Sequence, residues 1–271
     1  MIIALSDINI NVTLYPFSGD DNFVFLLHGF TGSGKDWDTI IKELDQRFNY
    51  VTVDLPGHGL SESPEDVNRY SPDALVSQLN ELIVHFTKGK IILVGYSMGG
   101  RAALLYSTRN RQKIKGLIVE GATAGIKEDK LRKLRKADDE NLARFIENHT
   151  MEEFLDQWMN LDIFKSQKKI PRKLKTLREE KMINNKKGLA NSLRGFSTGN
   201  MPPLFNDLCE LQFKTLLITG ELDKKYKKLN SEMAAMIPYC RHMVVPGAGH
   251  NVHVEKPERF ISAVNEFLDS Y

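Results

Sequence analysis

Short apolar runs alternate along the chain with longer segments in which apolar residues recur every three or four positions. The short runs are rich in β-branched residues, and several are apolar almost throughout, which is typical of strands covered on both faces of a sheet. They are FVFLLHG from Phe23, YVTVDLPG from Tyr50, KIILVGY from Lys90, IKGLIVEG from Ile114, FKTLLITG from Phe213 and RHMVVPGAG from Arg241. We therefore predict a parallel sheet.

The longer segments predict the helices that connect these strands. DALVSQLNELIVHF from Asp73 and RAALLYS from Arg101 both have helical spacing. Right-handed crossovers that join such strand and helix units build an open, doubly wound α/β sheet. The stretch from Ile2 to Tyr15 alternates only weakly and predicts antiparallel strands at one edge, so the sheet is expected to be mostly parallel.

The strand pattern disappears from about Ile126 to Phe205, where the sequence is helical and carries 18 Lys and Arg residues against 12 Asp and Glu residues. We expect an α/β core of residues 1–125 and 206–271 and a helical cap of residues 126–205. Such an insertion lies naturally over the carboxyl ends of the strands, where ligands bind in these sheets. The alternative is a solvated insertion whose charges serve only solubility.

Composition narrows the classes of function. A chain of 271 residues with 41% hydrophobic residues can bury one large core, and a net charge of +2 gives no basis for nucleic-acid binding. No apolar run reaches about 18 residues and no leader pattern opens the chain, so we expect a cytoplasmic protein without a membrane span. Cys209 and Cys240 lack the spacing of metal sites and predict buried free thiols. The oligomeric state stays open between a monomer and a weak dimer.

The segment IILVGYSMGGR, from Ile91 to Arg101, carries the first sign of chemistry. A strand, then Gly-x-Ser-x-Gly, then a helix is the nucleophile elbow, in which a sharp turn presents the serine hydroxyl above the sheet. Gly95, Ser97 and Gly99 occupy these positions. The surrounding strand and helix make this motif far more specific than the five residues alone.

A serine of this kind needs a base and an acid, which follow it in the order serine, acid, histidine. Asp223 follows the strand LLITG, and His250 follows VVPGAG, so both stand at strand ends. Glu221 is the alternative acid and His253 the alternative base. A metal site at the two histidines lacks further ligands, and we expect neither a metal nor a cofactor.

Two backbone amides should face a developing oxyanion, one from the residue after the serine and one from a loop after an early strand. These are the amides of Met98 and of Phe30, the latter in LLHGFTGSGKDW. The same loop suggests phosphate binding, but Lys35 is followed by Asp36 where a phosphate-binding loop needs a serine or threonine.

Arg101 lies one helical turn beyond Ser97, so its side chain can reach the pocket. A buried guanidinium needs compensation, and a ligand carboxylate supplies it with two hydrogen bonds. The alternative is that Arg101 pairs with an acidic loop of the protein. Arg135, Arg178 and Arg194 in the cap are further candidates for binding a polyanion.

Together with VDLPGHGLSES, from Val53 to Ser63, these motifs resemble the α/β-hydrolase superfamily over the whole chain. Within it the sequence resembles the 2-succinyl-6-hydroxy-2,4-cyclohexadiene-1-carboxylate synthase (MenH) family. The segments that carry this resemblance are HGFTGSGKDW, VDLPGHG, VGYSMGGR, IVEGATAGI, FLDQWMN, SLRGFSTGNMPPL and AGHNVHVEKPE.

The resemblance implies the α/β-hydrolase fold and a cofactor-independent lyase that eliminates pyruvate from an anionic small molecule in menaquinone biosynthesis. It implies that Ser97, Asp223 and His250 form a triad in which the serine acts as a base. The implied substrate-binding residues are Tyr96, Arg101, Arg135, Trp158 and Arg178. Two alternatives stay open: a carboxylesterase or C–C bond hydrolase that uses the same triad, and a binding module without catalysis.

Overall fold

The computed structural model describes residues 1–271 and contains eight strands. Their bounds are β1 Ile2–Ala4, β2 Asn9–Tyr15, β3 Phe23–Leu27, β4 Asn49–Val53, β5 Ile91–Tyr96, β6 Ile114–Glu120, β7 Lys214–Gly220 and β8 Cys240–Val245. They form one sheet in the order β1-β2-β4-β3-β5-β6-β7-β8. The pairs β1–β2 and β2–β4 are antiparallel and all others are parallel, which confirms the predicted sheet and its antiparallel edge.

Ten α-helices connect and cover the strands. Their bounds are α1 Asp38–Ile41, α2 Pro72–Phe86, α3 Met98–Arg109, α4 Asp129–Asn148, α5 Met151–Trp158, α6 Pro171–Lys181, α7 Lys186–Phe196, α8 Lys224–Ala234, α9 Val252–Glu255 and α10 Pro257–Leu268. A 3₁₀ helix, Asp162–Lys169, lies between α5 and α6. None of the helices combines the length and the apolar character that a membrane crossing requires.

The apolar strands predicted from the sequence are covered on both faces. One apolar cluster places α2, α3 and α8 against one face of the sheet, and a second places α1 and α10 against the other. Every residue of β5 is therefore buried. This double cover orients β5 firmly, and Ser97 follows directly at its carboxyl end.

Helices α4 to α7 lie between β6 and β7 in the chain and have a small apolar core of their own, which includes Phe154, Leu155 and Leu189. Phe30, from the core loop after β3, packs against this cluster and against the main core. The helical segment thus contacts the carboxyl ends of the strands. The division into a core and a cap at residues 126 and 205 stays a prediction.

Both cysteines are free thiols, but only one is partly buried. Cys240 lies at the start of β8, whereas Cys209 is exposed in the turn before β7. The expectation that both are buried is wrong for Cys209, because this turn lies on the surface rather than under a helix.

Candidate active site

The turn between β5 and α3 has the geometry of a nucleophile elbow. Ser97 adopts φ 50° and ψ −103°, a strained conformation for a residue with a side chain. Its N–H donates to Glu120 O at 2.8 Å, and the N–H of Gly99 donates to His28 O at 3.0 Å. A side chain at Gly99 would overlap the carbonyl of Leu27, so the close approach of helix and strand requires glycine there.

The structure brings Ser97, His250 and Asp223 into one hydrogen-bonded chain. His250 Nδ1 donates to Asp223 Oδ2 at 2.6 Å, and His250 Nε2 lies 3.0 Å from Ser97 Oγ. The His250 and Asp223 side chains are 2% and 7% exposed, so water does not compete for these bonds. Because an ionised carboxylate only accepts hydrogen bonds, it fixes the proton on Nδ1 and leaves Nε2 free to accept the serine proton.

The two alternative residues, Glu221 and His253, take no part in the hydrogen bonds of the triad. Glu221 is exposed, and its carboxylate accepts a hydrogen bond from the N–H of Gly247. His253 is buried and hydrogen-bonded to Glu120. The geometry therefore favours Asp223 as the acid and His250 as the base.

A cavity of about 210 Å³ opens above the serine, enclosed by the sheet, by α8 and by the helices between β6 and β7. Of the residues predicted for the site, those that line it are Phe30, Tyr96, Ser97, Met98, Arg101, Arg135, Trp158 and His250. Asp223 lies behind the imidazole. The ring of Trp158 meets that of Phe30 edge-on at 5.2 Å, which closes one wall with aromatic surface.

Two amides near the serine are placed to receive negative charge. Met98 is the first residue of α3, where a helix leaves its N–H without an intrahelical partner. Phe30 lies in the loop after β3, and its N–H donates none of the hydrogen bonds that hold this loop. Their role as an oxyanion site stays a prediction.

Arg101 faces the cavity without a carboxylate partner. It is 9% exposed, its Nη1 donates to Phe196 O at 2.8 Å, and its guanidinium lies 5.0 Å from the centre of the Phe196 ring. Burial lowers the pKa of Arg101 to about 10, and the nearby Arg135 acts in the same direction. The expected alternative, a pair with an acidic loop, is not what the structure shows.

The cap arginines differ in where their guanidinium groups lie. Arg135 lines the cavity, and its Nε donates to both oxygens of Asp139 at 2.8 Å. Burial lowers the pKa of Arg135, but hydrogen bonding and the charge of Asp139 outweigh that effect and hold the pKa above its ordinary value.

Arg178 does not line the cavity, which corrects the prediction of a substrate contact. Its Nη2 donates to Asp156 at 2.8 Å on the outer side of α5 and α6. Arg194, whose role the sequence left open, joins α4 to α7 through Glu140 and Glu147 at 2.9 and 2.7 Å. Both residues are engaged in ion pairs between helices.

Tyr226 is a site residue that the sequence reading did not single out. It lines the cavity, and its ring lies 4.6 Å from that of His250. Burial raises the pKa of its phenol, while the charges of Arg101 and Arg135 act to lower it. Its position three residues after Asp223, on the first turn of α8, is the feature of the sequence that could have indicated a place in the site.

Comparison with known proteins places the chain in a family. The family described as alpha/beta hydrolase fold matches residues 22–257. A Bacillus subtilis (strain 168) protein, provisionally named 2-succinyl-6-hydroxy-2,4-cyclohexadiene-1-carboxylate synthase, is 39% identical over 91% of this chain and 90% of its own length. The Salmonella paratyphi C synthase of that name is 30% identical over 92% of this chain and 94% of its own.

Solved structures agree with this placement. The structure of MenH from S. aureus superposes with a TM-score of 0.91, at 29% identity, over 96% of this chain and 98% of that one. An esterase from Thermogutta terrifontis superposes with a TM-score of 0.85 at 24% identity, over 100% and 98% of the two chains, which shows a shared fold only. The chain therefore belongs to the α/β hydrolase fold family and, within it, to the family of 2-succinyl-6-hydroxy-2,4-cyclohexadiene-1-carboxylate synthases.

Proposed function

We propose that this protein is a lyase of menaquinone biosynthesis. It eliminates pyruvate from 2-succinyl-5-enolpyruvyl-6-hydroxy-3-cyclohexene-1-carboxylate and gives 2-succinyl-6-hydroxy-2,4-cyclohexadiene-1-carboxylate. The relatives that carry the name of this activity support the assignment. We also propose that the reaction takes place in the cytoplasm. The observation that carries it is the buried Arg101, which faces a cavity beside an assembled triad and has no carboxylate partner.

The substrate explains the cations that the cavity holds. It carries three carboxylates, and a guanidinium binds a carboxylate through two parallel hydrogen bonds. Arg101 and Arg135 both line the cavity, and so does Tyr226, whose ring lies 4.6 Å from that of His250. A neutral ester would leave Arg101 buried and uncompensated, which is costly.

In this mechanism Ser97 acts as a base rather than as an acylated nucleophile. His250 accepts the serine proton at Nε2 while Ser97 Oγ removes a proton from a ring carbon of the substrate, and Asp223 stabilises the imidazolium. The electron pair of the broken C–H bond at C2 forms the C2–C3 double bond, the C3–C4 pair moves to C4–C5, and the C–O bond at C5 breaks. The imidazolium of His250 donates its proton to the leaving oxygen, so pyruvate leaves as its enol.

The amides of Met98 and Phe30 would hold the oxygen on which charge accumulates during proton removal. One such donor is worth about 3 kcal/mol, and a well-placed general base contributes about 10²–10⁴-fold. Loss of Ser97 or His250 should therefore nearly abolish turnover.

The experiment supplies the substrate to purified protein and follows pyruvate release and the absorbance of the conjugated diene. We expect Ser97→Ala to lose at least about 100-fold in kcat. Ser107→Ala is the matched control, because this buried serine lies on α3 away from the cavity. Release of pyruvate no faster than the spontaneous rate, or a Ser97→Ala variant as active as Ser107→Ala, would contradict the proposal.

A further inference from the structure

A second carboxylate–histidine pair lies fully buried behind the catalytic residues. Glu120 ends β6 and His253 lies in α9, and their side chains are 0% and 1% exposed. His253 Nδ1 donates to Glu120 Oε2 at 2.7 Å, and the main-chain N–H of His253 donates to Oε1 at 3.1 Å. Neither side chain lines the cavity, and the proposed reaction uses neither.

Glu120 is connected to both reacting residues of the triad. Its main-chain oxygen accepts the N–H of Ser97 at 2.8 Å, and in the sheet it stands opposite Tyr96. Its side chain holds the start of α9, three residues after His250. Glu120 therefore fixes the turn that carries Ser97 relative to the turn that carries His250.

The turn at His250 depends on such outside support. The main chain of His250 makes no hydrogen bond of its own, so its neighbours fix it. On one side the N–H of Gly249 donates to Glu255 Oε2 at 2.9 Å, and on the other side His253 donates to Glu120. Gly121, with φ +57°, packs so closely that an added Cβ would lie 3.1 Å from His250 Cε1.

Packing fixes the ring of His253 in the plane that this hydrogen bond needs. The ring stacks on Trp37 at 4.4 Å and meets Tyr96 edge-on at 5.0 Å. Tyr96 in turn contacts the His250 ring at 5.4 Å. His253 Nε2 has no hydrogen-bond partner, so the bond from Nδ1 to Glu120 is the only polar contact of the ring.

We propose that Glu120 and His253 form a positioning pair that sets the geometry between Ser97 and His250 by joining the end of β6 to the turn of the base. The inference rests on the proposed use of these two catalytic residues but not on the identity of the substrate. A misplacement of about 1 Å at a reacting group can cost about 100-fold in rate. Loss of this pair should therefore lower kcat and leave KM nearly unchanged, since substrate contacts remain.

The test compares two substitutions of one residue. His253→Leu removes the side-chain donor to Glu120 and keeps the main-chain donor, whereas His253→Asn offers an amide N–H near the position of Nδ1. His242→Asn is the matched control, because His242 is hydrogen-bonded to Thr219 at 2.8 Å and contacts neither Ser97 nor His250. One readout is kcat and KM for pyruvate release. The other is the rate at which phenylmethanesulfonyl fluoride labels Ser97, which needs an aligned triad but no substrate.

We expect His253→Leu to lower kcat and the labelling rate by about 10- to 100-fold. His253→Asn should recover most of both rates, and His242→Asn should match the unsubstituted protein. Folded leucine and asparagine variants that label equally fast would overturn the proposal. If the leucine variant does not fold, Glu120→Gln replaces it, and labelling of that variant at the full rate would also overturn it.

The two proposals fail separately. If the unsubstituted protein releases no pyruvate while labelling still depends on His253, the proposed reaction is wrong and the positioning pair stands. If pyruvate is released, but substitution of His253 changes neither kcat nor the labelling rate of Ser97, the proposed reaction stands and the pair only stabilises the fold.

Discussion

Replacing Arg101 with methionine separates the binding role of this residue from its effect on stability. Methionine keeps an unbranched side chain of similar reach and removes the charge. Arg101 is 9% exposed, and its guanidinium contacts the carbonyl and the ring of Phe196 and also Met201 Sδ at 4.0 Å. We expect opposite changes in two quantities: a large loss of activity and a small gain in the free energy of unfolding.

The gain in stability follows from the cost of burying the charge. Burial lowers the pKa of Arg101 well below its ordinary value, to about 10. Since one pKa unit corresponds to about 1.4 kcal/mol, the charged form destabilises the folded protein by about 3 kcal/mol. For a base with a lowered pKa this penalty applies at every pH below about 10, so it is fully present at neutral pH.

The substitution also removes the hydrogen bond to Phe196, which is worth about 1.5–3 kcal/mol for a charged donor. The net gain is then about 1 kcal/mol, or a rise in Tm of about 2–4 °C for a chain of this size. The activity should fall much further. A carboxylate about 4 Å from a guanidinium gains about 4 kcal/mol at an effective dielectric constant of about 20. That corresponds to a loss of about 10²–10³-fold in kcat/KM.

The assay pairs thermal unfolding of the ligand-free protein with kcat/KM for pyruvate release. Arg109→Met is the matched control on the same helix, because Arg109 pairs with Asp73 at the surface and should change neither quantity appreciably. A marked fall in Tm for Arg101→Met, or a kcat/KM equal to that of Arg109→Met, would refute the reasoning that the buried charge is kept for an anionic substrate.

Three further predictions concern side chains of the triad, the cavity and the cap. Asp223→Asn should lower kcat by about 10⁴-fold with little change in KM, because the amide reverses the tautomer of the catalytic imidazole, and steady-state kinetics checks it. Tyr226→Phe should raise KM by about 5- to 10-fold through loss of one hydroxyl contact, and a KM equal to that of the unsubstituted protein would exclude the contact. Arg135→Ala should raise KM strongly while Arg178→Ala should not, and equal effects in a parallel titration would show that the cap adopts another arrangement during turnover.

The strands and the triad could be predicted from the sequence because their signals are local. A strand covered on both faces is apolar throughout, as β5 is, and an elbow needs small residues at fixed positions around Ser97. Asp223 and His250 follow from chain order and from their positions at strand ends. None of these inferences requires knowledge of how distant side chains meet.

The remaining site features depend on contacts between distant segments. Arg178 lies on a charged helix. Its side chain is oriented by a hydrogen bond to Asp156, which is 22 residues away in the sequence. Glu120 ends an apolar run and gives no sign of a partner 133 residues later. Such pairs become visible only when segments that are distant in the sequence pack against each other.

The central claim, that Ser97 removes a ring proton and is not acylated, is tested most directly by single-turnover measurements with a substrate deuterated at that ring carbon. We expect slower pyruvate release from the deuterated substrate and no added mass on Ser97 in quenched samples. Equal release rates for the two substrates, together with a covalent adduct on Ser97, would contradict it and favour the hydrolytic use of the same triad.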